Sequence, residues 1–307
     1  MEKRQLGNSD LWVSKIGLGC MSIGTEEKKA THIIEAALDS GINYFDTADL
    51  YDFGVNEEII GKTLSSRRED VIIATKVGNR WNDMKEGWRW DPSRAYIKEA
   101  VKDSLHRLKT DYIDLYQLHG GTINDPSEDT IEAFEELKAE GLIRHYGISS
   151  IRPNVIRNYV QNSSIVSIMM QYSLLDRRPE ELMSLLSEHD ISIVTRGSVA
   201  KGLLSDKMLE SPEIDHAEKG YLNYSAIEIK ELHDSIKANI LRGQRTLNEV
   251  ALQFNLAHEA VAAVVTGASS IEQIKDNVRA VNTAPLTDEE LTYLEMISKE
   301  SKYQEHQ

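Results

Sequence analysis

Short β-branched runs alternate with amphipathic stretches along the whole chain. Strands are expected at Val13–Gly17, Ile42–Phe45, Val71–Thr75, Ile113–Leu118, Ile143–Ile148, Val166–Met170, Ile191–Thr195 and Val261–Thr266. These runs barely alternate between apolar and polar positions, as expected of parallel strands covered on both faces. The stretches between them place apolar residues at helical spacing. One, opening at Thr25, aligns Ala30, Ile33, Ile34, Ala37 and Leu38; another aligns Ile97, Val101, Leu105 and Leu108. Asp91-Pro92 reads as the N-cap and first position of that second helix, and Asp125-Pro126-Ser127-Glu128 as the cap of the next. Further helices are expected at Glu57–Leu64, Pro153–Val160, Pro179–Glu188, Thr246–Asn255 and Ile271–Val281.

Eight strand–helix units predict an α/β fold, a (β/α)₈ TIM barrel. A helix over Ser225–Ile240 and a C-terminal helix opened by Thr287-x-x-Glu290 fall outside the repeat. An N-terminal hairpin turning near Gly7-Asn8-Ser9-Asp10 is expected to cap the bottom of the barrel. The segment after Val71–Thr75 reads as a long loop. No linker rich in Pro, Gly or Ser divides residues 1–307, so the chain reads as a single domain.

Composition narrows the function. The net charge of −15 argues against a nucleic-acid or anionic-membrane partner, because nothing basic dominates. An anionic ligand must then meet local cations or helix N-termini. Cys20 is the single cysteine, which precludes an intrachain disulfide; it reads as a small buried filler or a redox thiol. The first residues lack an apolar signal core and no stretch approaches a membrane span, so a cytoplasmic protein is expected. The oligomeric state has no signal.

Asp46, Lys76 and His119 lie just past three successive strand-like runs, and Tyr51 lies in the loop after the first. The C-terminal strand ends of such a barrel share one rim. This set suits reduction of a carbonyl by hydride. Tyr51 is the candidate acid, with a free phenol pKa of about 10. An ammonium about 4 Å away at an effective dielectric of about 20 would lower that value by roughly three units, near neutrality. Lys76 can supply the charge, Asp46 can keep Lys76 protonated, and His119 can hold the carbonyl. Each residue also has a plain reading: a solvated rim lysine, turn chemistry in Asp46-Thr47-Ala48-Asp49, a half-buried loop tyrosine, a satisfied turn histidine. The spacing of Asp46, Asp49 and Asp52 hints at a divalent metal. His119 is the only histidine at a rim position, however, so no metal site is expected.

With Gly17-Leu18-Gly19, Gly41-Ile42-Asn43-Tyr44-Phe45-Asp46-Thr47-Ala48, Asn56-Glu57, Thr75-Lys76, Asp114–His119 and Gly141–Ser149, these residues resemble the aldo-keto reductase superfamily over nearly the whole chain. The likeness is to the bacterial branch also related to potassium-channel β-subunits. It implies a nicotinamide cofactor bound across the C-terminal rim, with Asp46, Tyr51, Lys76 and His119 as the catalytic four. Ser149 and Gln171 would hold the carboxamide, with Asp46 adjoining and Met21 approaching through its backbone. The loop Gly197, Ser198, Val199, Lys201, Gly202 would wrap the pyrophosphate. Gly267, Ser269, Gln273, Asp276 and Asn277 would hold the adenosine end.

The chain departs from that pattern in three places. Ser150 replaces a usual asparagine. Arg196 stands where a tyrosine often stacks on nicotinamide, and its charge would oppose the oxidised ring. No arginine or lysine accompanies Ser269, Ser270 or Gln273 to meet a 2′-phosphate, although Lys275, Arg279, Lys201 and Lys207 lie nearby. NADP(H) is expected, with NAD(H) as the alternative. Trp81, Trp88 and Trp90, beside Arg80 and Arg89, would either wall a pocket for an aldehyde or quinone-like ring or pin the loop; Trp81 joins Tyr51 and His119 as a substrate-contacting candidate. The expected activity is NAD(P)H-dependent reduction of a small-molecule aldehyde or ketone. The alternatives are a cofactor-binding sensor with little turnover and, more remotely, a metal-dependent hydrolase.

Overall fold

The computed structural model describes residues 1–82, 84–206, 208, 220–241 and 245–306. Strands β1 (Lys3–Gln5) and β2 (Trp12–Ser14) pair antiparallel as the N-terminal hairpin. The barrel begins with β3 (Ile16–Gly19), α1 (Glu27–Asp39), β4 (Tyr44–Asp46), α2 (Val55–Leu64) and β5 (Ile72–Val77). Strands β6 (Asn79–Trp81) and β7 (Trp88–Trp90) follow, and then α3 (Arg94–Leu108), β8 (Ile113–Leu118), α4 (Ser127–Ala139), β9 (Ile143–Ser149) and α5 (Pro153–Asn162). The turn of the barrel is completed by β10 (Ser167–Gln171), α6 (Glu180–Glu188), β11 (Ser192–Arg196), α7 (Ala226–Ile236), α8 (Leu247–Leu256), β12 (Val261–Gly267), α9 (Ile271–Asn282) and α10 (Asp288–Ile297). Strands β3, β4, β5, β8, β9, β10, β11 and β12 are parallel neighbours in that order, and β12 pairs back onto β3. The fold is the expected (β/α)₈ TIM barrel, with the hairpin and the helices α7 and α10 added.

The expected run Val13–Gly17 divides in two. Its first part closes the hairpin, and only Ile16 onward enters the barrel. The hairpin carries Leu6, Leu11 and Val13 into one buried cluster with Tyr44, Ile72, Ala74, Leu115, Met169 and Val194, which fill the barrel interior. Arg4 Nη1 ties it down by donating to the carbonyls of Leu256 (3.1 Å) and Val261 (2.8 Å). The larger apolar cluster lies between strands and helices, and a third joins α7, α8 and α10 to Leu174, Leu203 and Leu204.

Two expected caps differ. Asp91 does not cap α3: Ser93 does, accepting from Tyr96 N at 3.4 Å, and Asp91 instead holds the Ser93 hydroxyl at 2.6 Å. Helix α4 has Pro126 at its N-cap without side-chain help, because Asp125 is engaged by Thr122 and by the Trp90 indole N–H at 3.0 Å. The segment expected as a long loop after β5 is the β6–β7 hairpin. Gly78, at φ +121°, lets it turn: a Cβ there would lie 2.6 Å from the Trp90 ring.

Candidate active site

Side chains alternate along a strand, so positions two apart point the same way. Tyr44, Ala74 and Leu115 face the barrel interior. Asp46, Lys76 and Gln117, each two residues on, therefore face inward near the rim, and His119 follows at the next such step. Tyr51 opens a tight turn, Tyr51–Gly54, in which Asp52 and Phe53 adopt φ near +50°. Left-handed backbone at two non-glycine residues costs about 1–2 kcal/mol each, and strain of that kind clusters at functional sites.

The Lys76 ammonium, 1% exposed, is the centre of the arrangement. It donates to Asp46 Oδ2 at 2.7 Å, to the Thr47 carbonyl at 2.7 Å and to the Tyr51 hydroxyl at 3.3 Å. Gln117 donates to the other Asp46 oxygen at 3.4 Å. The His119 ring lies edge-on to Tyr51 with centroids 5.9 Å apart. Burial alone would lower the Lys76 pKa, but Asp46 and Tyr51 outweigh it and raise it above its ordinary value, so the ammonium persists. Burial likewise raises Asp46, with Lys76 and Gln117 pulling it back. Burial and the Lys76 charge press the His119 imidazole down to about 3, so it is neutral at ordinary pH.

The Tyr51 phenol differs from the sequence expectation. Burial raises its pKa above 10, Lys76 lowers it, and Asp46 raises it again. The expected fall to near neutrality counted the ammonium alone. Asp46 and Lys76 together are a neutral pair, and the phenol feels little more than a dipole.

Tyr51, Lys76 and His119 line a cavity of about 660 Å³, with Met21, Leu50, Asn79, Trp88, Trp90, Thr122, Ser149, Arg152, Met169 and Arg196. Trp81 is not among its lining residues. It stands off, edge-on to Phe53 at 6.0 Å, and lines a separate hollow with Arg80 and Arg89. Trp88 and Trp90 take the position expected of it. Ser150 also turns away: it is buried, and its hydroxyl accepts from Arg152 N. Asp46 lies beneath Lys76 rather than on the wall. Met21 is 67% exposed at the mouth, and the Cys20 thiol, fully buried, is pushed well up by burial, which suits a filler. Asp49 is buried apart, accepting from the Tyr96 hydroxyl at 3.3 Å, and burial with the Glu57 carboxylate lifts it to about 8. Asp52 stays at the surface. The three aspartates thus do not converge, and among the described residues no group of three acidic, histidine or cysteine side chains is placed to hold a metal.

Beyond β11 the chain makes a cramped loop, with positive φ at Gly197, Ala200, Lys201 and Gly202. Ser198 is 2% exposed, and among the described residues its hydroxyl has no hydrogen-bond partner. A second cavity of about 340 Å³ opens beside this loop, lined by Val199, Gly202, Ser205, Asp206, Gly267, Gln273, Asp276, Asn277 and Arg279 among others. Gln273 accepts from Ser269 N at 2.7 Å, and Asn277 bonds Thr266 and Asn248. Arg279 pairs with Asp276 at 2.9 Å. Lys275 and Lys201 do not line this cavity, and Lys207 lies outside the described residues. A turned-in backbone, an orphaned buried hydroxyl and polar groups along one wall fit the phosphate and adenosine parts of a dinucleotide. Gln171, at the end of β10 and paired with Arg196 on β11, donates to Asp176 (2.9 Å) and Tyr221 (3.0 Å) and accepts from Arg196 (3.1 Å).

Several of these groups escaped sequence reasoning. Gln117 had a signal, two residues before His119 on the same face of β8. Asp176, Tyr221 and the Thr47 carbonyl had none, since only the folded chain brings them here.

A model of the aldo/keto reductase family matches residues 15–299. The chain is 58% identical, over 100% of its length and 99% of the other protein's, to the uncharacterized oxidoreductase YqkF of Bacillus subtilis (strain 168). It is 31% identical, over 92% of this chain and 94% of the other, to the NADH-specific methylglyoxal reductase of Escherichia coli (strain K12). Among solved structures, the holo form of aldo-keto reductase AKR11C1 from Bacillus halodurans superposes with a TM-score of 0.94 at 60% identity, covering 100% of this chain and 99% of that one. Among the described residues no helix is long and apolar enough to cross a membrane. With a closed barrel, a matching family model and full-length relatives all in agreement, the chain belongs to the aldo/keto reductase family.

Proposed function

We propose that the protein reduces aldehydes or ketones to alcohols with a nicotinamide dinucleotide, NADP(H) in preference to NAD(H). The observation that carries this reading is the contact of the Tyr51 hydroxyl with a buried, charge-balanced Lys76 on the wall of one cavity with His119. The cofactor supplies hydride. Tyr51 holds the proton at Oη and gives it to the carbonyl oxygen as that oxygen becomes an alkoxide. An alkoxide is about as basic as hydroxide and far more basic than a phenolate, so a phenol raised above its ordinary pKa remains a competent acid. Lys76 stabilises the phenolate left behind, and Asp46 holds Lys76 in place and charged. His119, neutral, donates a hydrogen bond to the same oxygen and fixes it against Tyr51. Trp88 and Trp90 form the apolar wall for the substituent of the carbonyl.

Ser149 and the Gln171 oxygen would hold the carboxamide, with Met21 at the mouth. The loop from Gly197 to Gly202, including Ser198, Val199 and Lys201, would wrap the pyrophosphate, and Gly267, Ser269, Gln273, Asp276 and Asn277 would hold the adenosine. Arg279 is the cation on that wall for a 2′-phosphate; only one of an arginine's five N–H donors is needed for Asp276.

The test is titration with NADPH and NADH, followed by addition of 4-nitrobenzaldehyde. Turnover with NADPH that Tyr51→Phe abolishes is the expected result. Tight binding with no turnover would make the protein a cofactor sensor, and loss of activity to chelators would make it a metal enzyme.

A further inference from the structure

The wall of the catalytic cavity carries three cationic side chains, Lys76, Arg152 and Arg196, and among its described lining residues no carboxylate. Asp46 matches Lys76 from beneath at 2.7 Å, and Arg196 is turned onto Gln171. Arg152 is different. It stands between the end of β9 and the start of α5, partly buried, and lines both this cavity and a neighbouring one of about 510 Å³. Its Nη1 donates to the Gly121 carbonyl, two residues past His119. Gly121 is itself packed on α5, where a Cβ would lie 3.0 Å from Val155, so the anchor is firm. The Nε–Nη2 edge of the guanidinium has no hydrogen-bond partner among the described residues. Two glutamates, Glu300 and Glu305, line the neighbouring cavity with Arg152. They are engaged elsewhere, Glu300 by Lys302 at 3.6 Å and Glu305 by His306 at 3.8 Å. Arg178, the other guanidinium there, is taken by Asp176 at 2.7 Å through both arms. In a chain of net charge −15, a wall free of acids beside the reacting groups is what local attraction of an anion requires.

We propose that Arg152 is a specificity-determining residue of the substrate site, and that the substrate is a carbonyl compound bearing a carboxylate. This rests on the reduction reading above. With the carbonyl oxygen held between Tyr51 and His119, the carboxylate lies along the open edge of Arg152 and accepts two parallel N–H bonds. Two residues of chain span at most about 7 Å, so the tie to Gly121 keeps that edge within one small molecule's reach of His119. The distance suits a carboxylate set across one ring or a short chain from the carbonyl, with Trp88 and Trp90 against the apolar part between. A single fork matches the one charge and two oxygens of a carboxylate; the third oxygen and second charge of a phosphate would lack a partner. Hydride goes to the carbonyl carbon and the Tyr51 proton to its oxygen, while the carboxylate keeps its charge throughout. Arg152 therefore holds substrate and transition state alike, and its contribution falls on KM rather than kcat. A charge-assisted pair of this kind is worth roughly ten- to a hundredfold in affinity.

The experiment measures kcat and KM of the full-length protein, with NADPH, for 4-carboxybenzaldehyde and 4-nitrobenzaldehyde. The two rings have nearly the same shape, and only the first is charged. The quantity read is the ratio of their kcat/KM values, carboxylate over nitro. Comparing that ratio between variant and unmodified protein divides out the different reactivities of the two carbonyls. In Arg152→Gln the ratio is expected to fall about tenfold or more, through a raised KM for the carboxylate. An unchanged ratio overturns the proposal, as does a fall confined to kcat. Should that variant fail to fold, Arg152→Lys decides. It keeps the charge without the fork, so the ratio is expected to fall at least about threefold, and an unchanged ratio again overturns the proposal. Turnover of the nitro compound alone by the unmodified protein also overturns it. Turnover of neither aldehyde overturns the reduction reading instead.

Discussion

Two cavities of this barrel, the one at Tyr51 and the one beside α9, handle charge in opposite ways. Around Tyr51 the ion pair is sealed, with side chains 1% and 5% exposed for Lys76 and Asp46. Beside α9 the pair Arg279–Asp276 is open, at 65% and 57%. A sealed pair is costly to assemble and costlier to break, whereas an open one is screened and nearly free to rearrange. The first therefore suits a reacting centre whose geometry must not drift. The second leaves four of the arginine's N–H donors open beside the pair.

Four experiments bear on that contrast. The largest effect is expected from Tyr51→Phe, which should lower kcat/KM by about 10³-fold, within the range for general acids, and leave NADPH affinity within about threefold. Retention of turnover would dissolve the special standing of the sealed end. Asp46→Asn leaves a buried ammonium without its counter-ion and should cost on the order of 3–5 kcal/mol in urea unfolding. Asp276→Asn should leave the urea midpoint where it was. If the two variants unfold alike, burial is not what separates the cavities.

The third effect depends on pH. An imidazole near 6.5 in the unfolded chain but at about 3 in the fold is protonated only in the unfolded state across that window. Stability contributed by His119 should thus be complete above about pH 6.5 and decline as pH falls toward 3. Meanwhile kcat/KM should run level through pH 6.5. An inflection there that vanishes in His119→Gln would show a titrating histidine. The smallest effect is expected at the open end: Arg279→Ala should weaken NADPH about tenfold and NADH by less than about twofold, while Lys275→Ala changes neither. Equal losses for the two cofactors would assign Arg279 no part in telling them apart.

The barrel was legible because its strands are unbroken apolar runs and its helices carry clean stripes. So was the convergence of Asp46, Lys76 and His119, since strand ends share a rim. Tyr51 joins them through a turn strained at Asp52 and Phe53, which no periodicity announces. The β6–β7 hairpin was read as a loop because its residues, including three tryptophans and two arginines, show neither strand alternation nor a turn dipeptide. Trp81 was chosen over Trp88 and Trp90 for want of any means to tell which indole faces inward. Asp91 and Asp125 looked like helix caps by local spacing, but Ser93 and the Trp90 indole compete for them in three dimensions. The phenol's acidity was misjudged because a pairwise estimate omitted the burial of the phenol first, and then the carboxylate behind the lysine.

The hairpin under the barrel ties the start of the chain to its far end. Arg4 is held by the carbonyls of Leu256 and Val261, and β12 must lie against β3 before the ring is complete. During synthesis the hairpin therefore waits for residues some 250 positions later before it can seat. Contacts so remote in sequence slow folding. A nascent chain interrupted before residue 261 would hold an unclosed sheet with a loose stopper, exposing two strand edges and an apolar floor to chaperones.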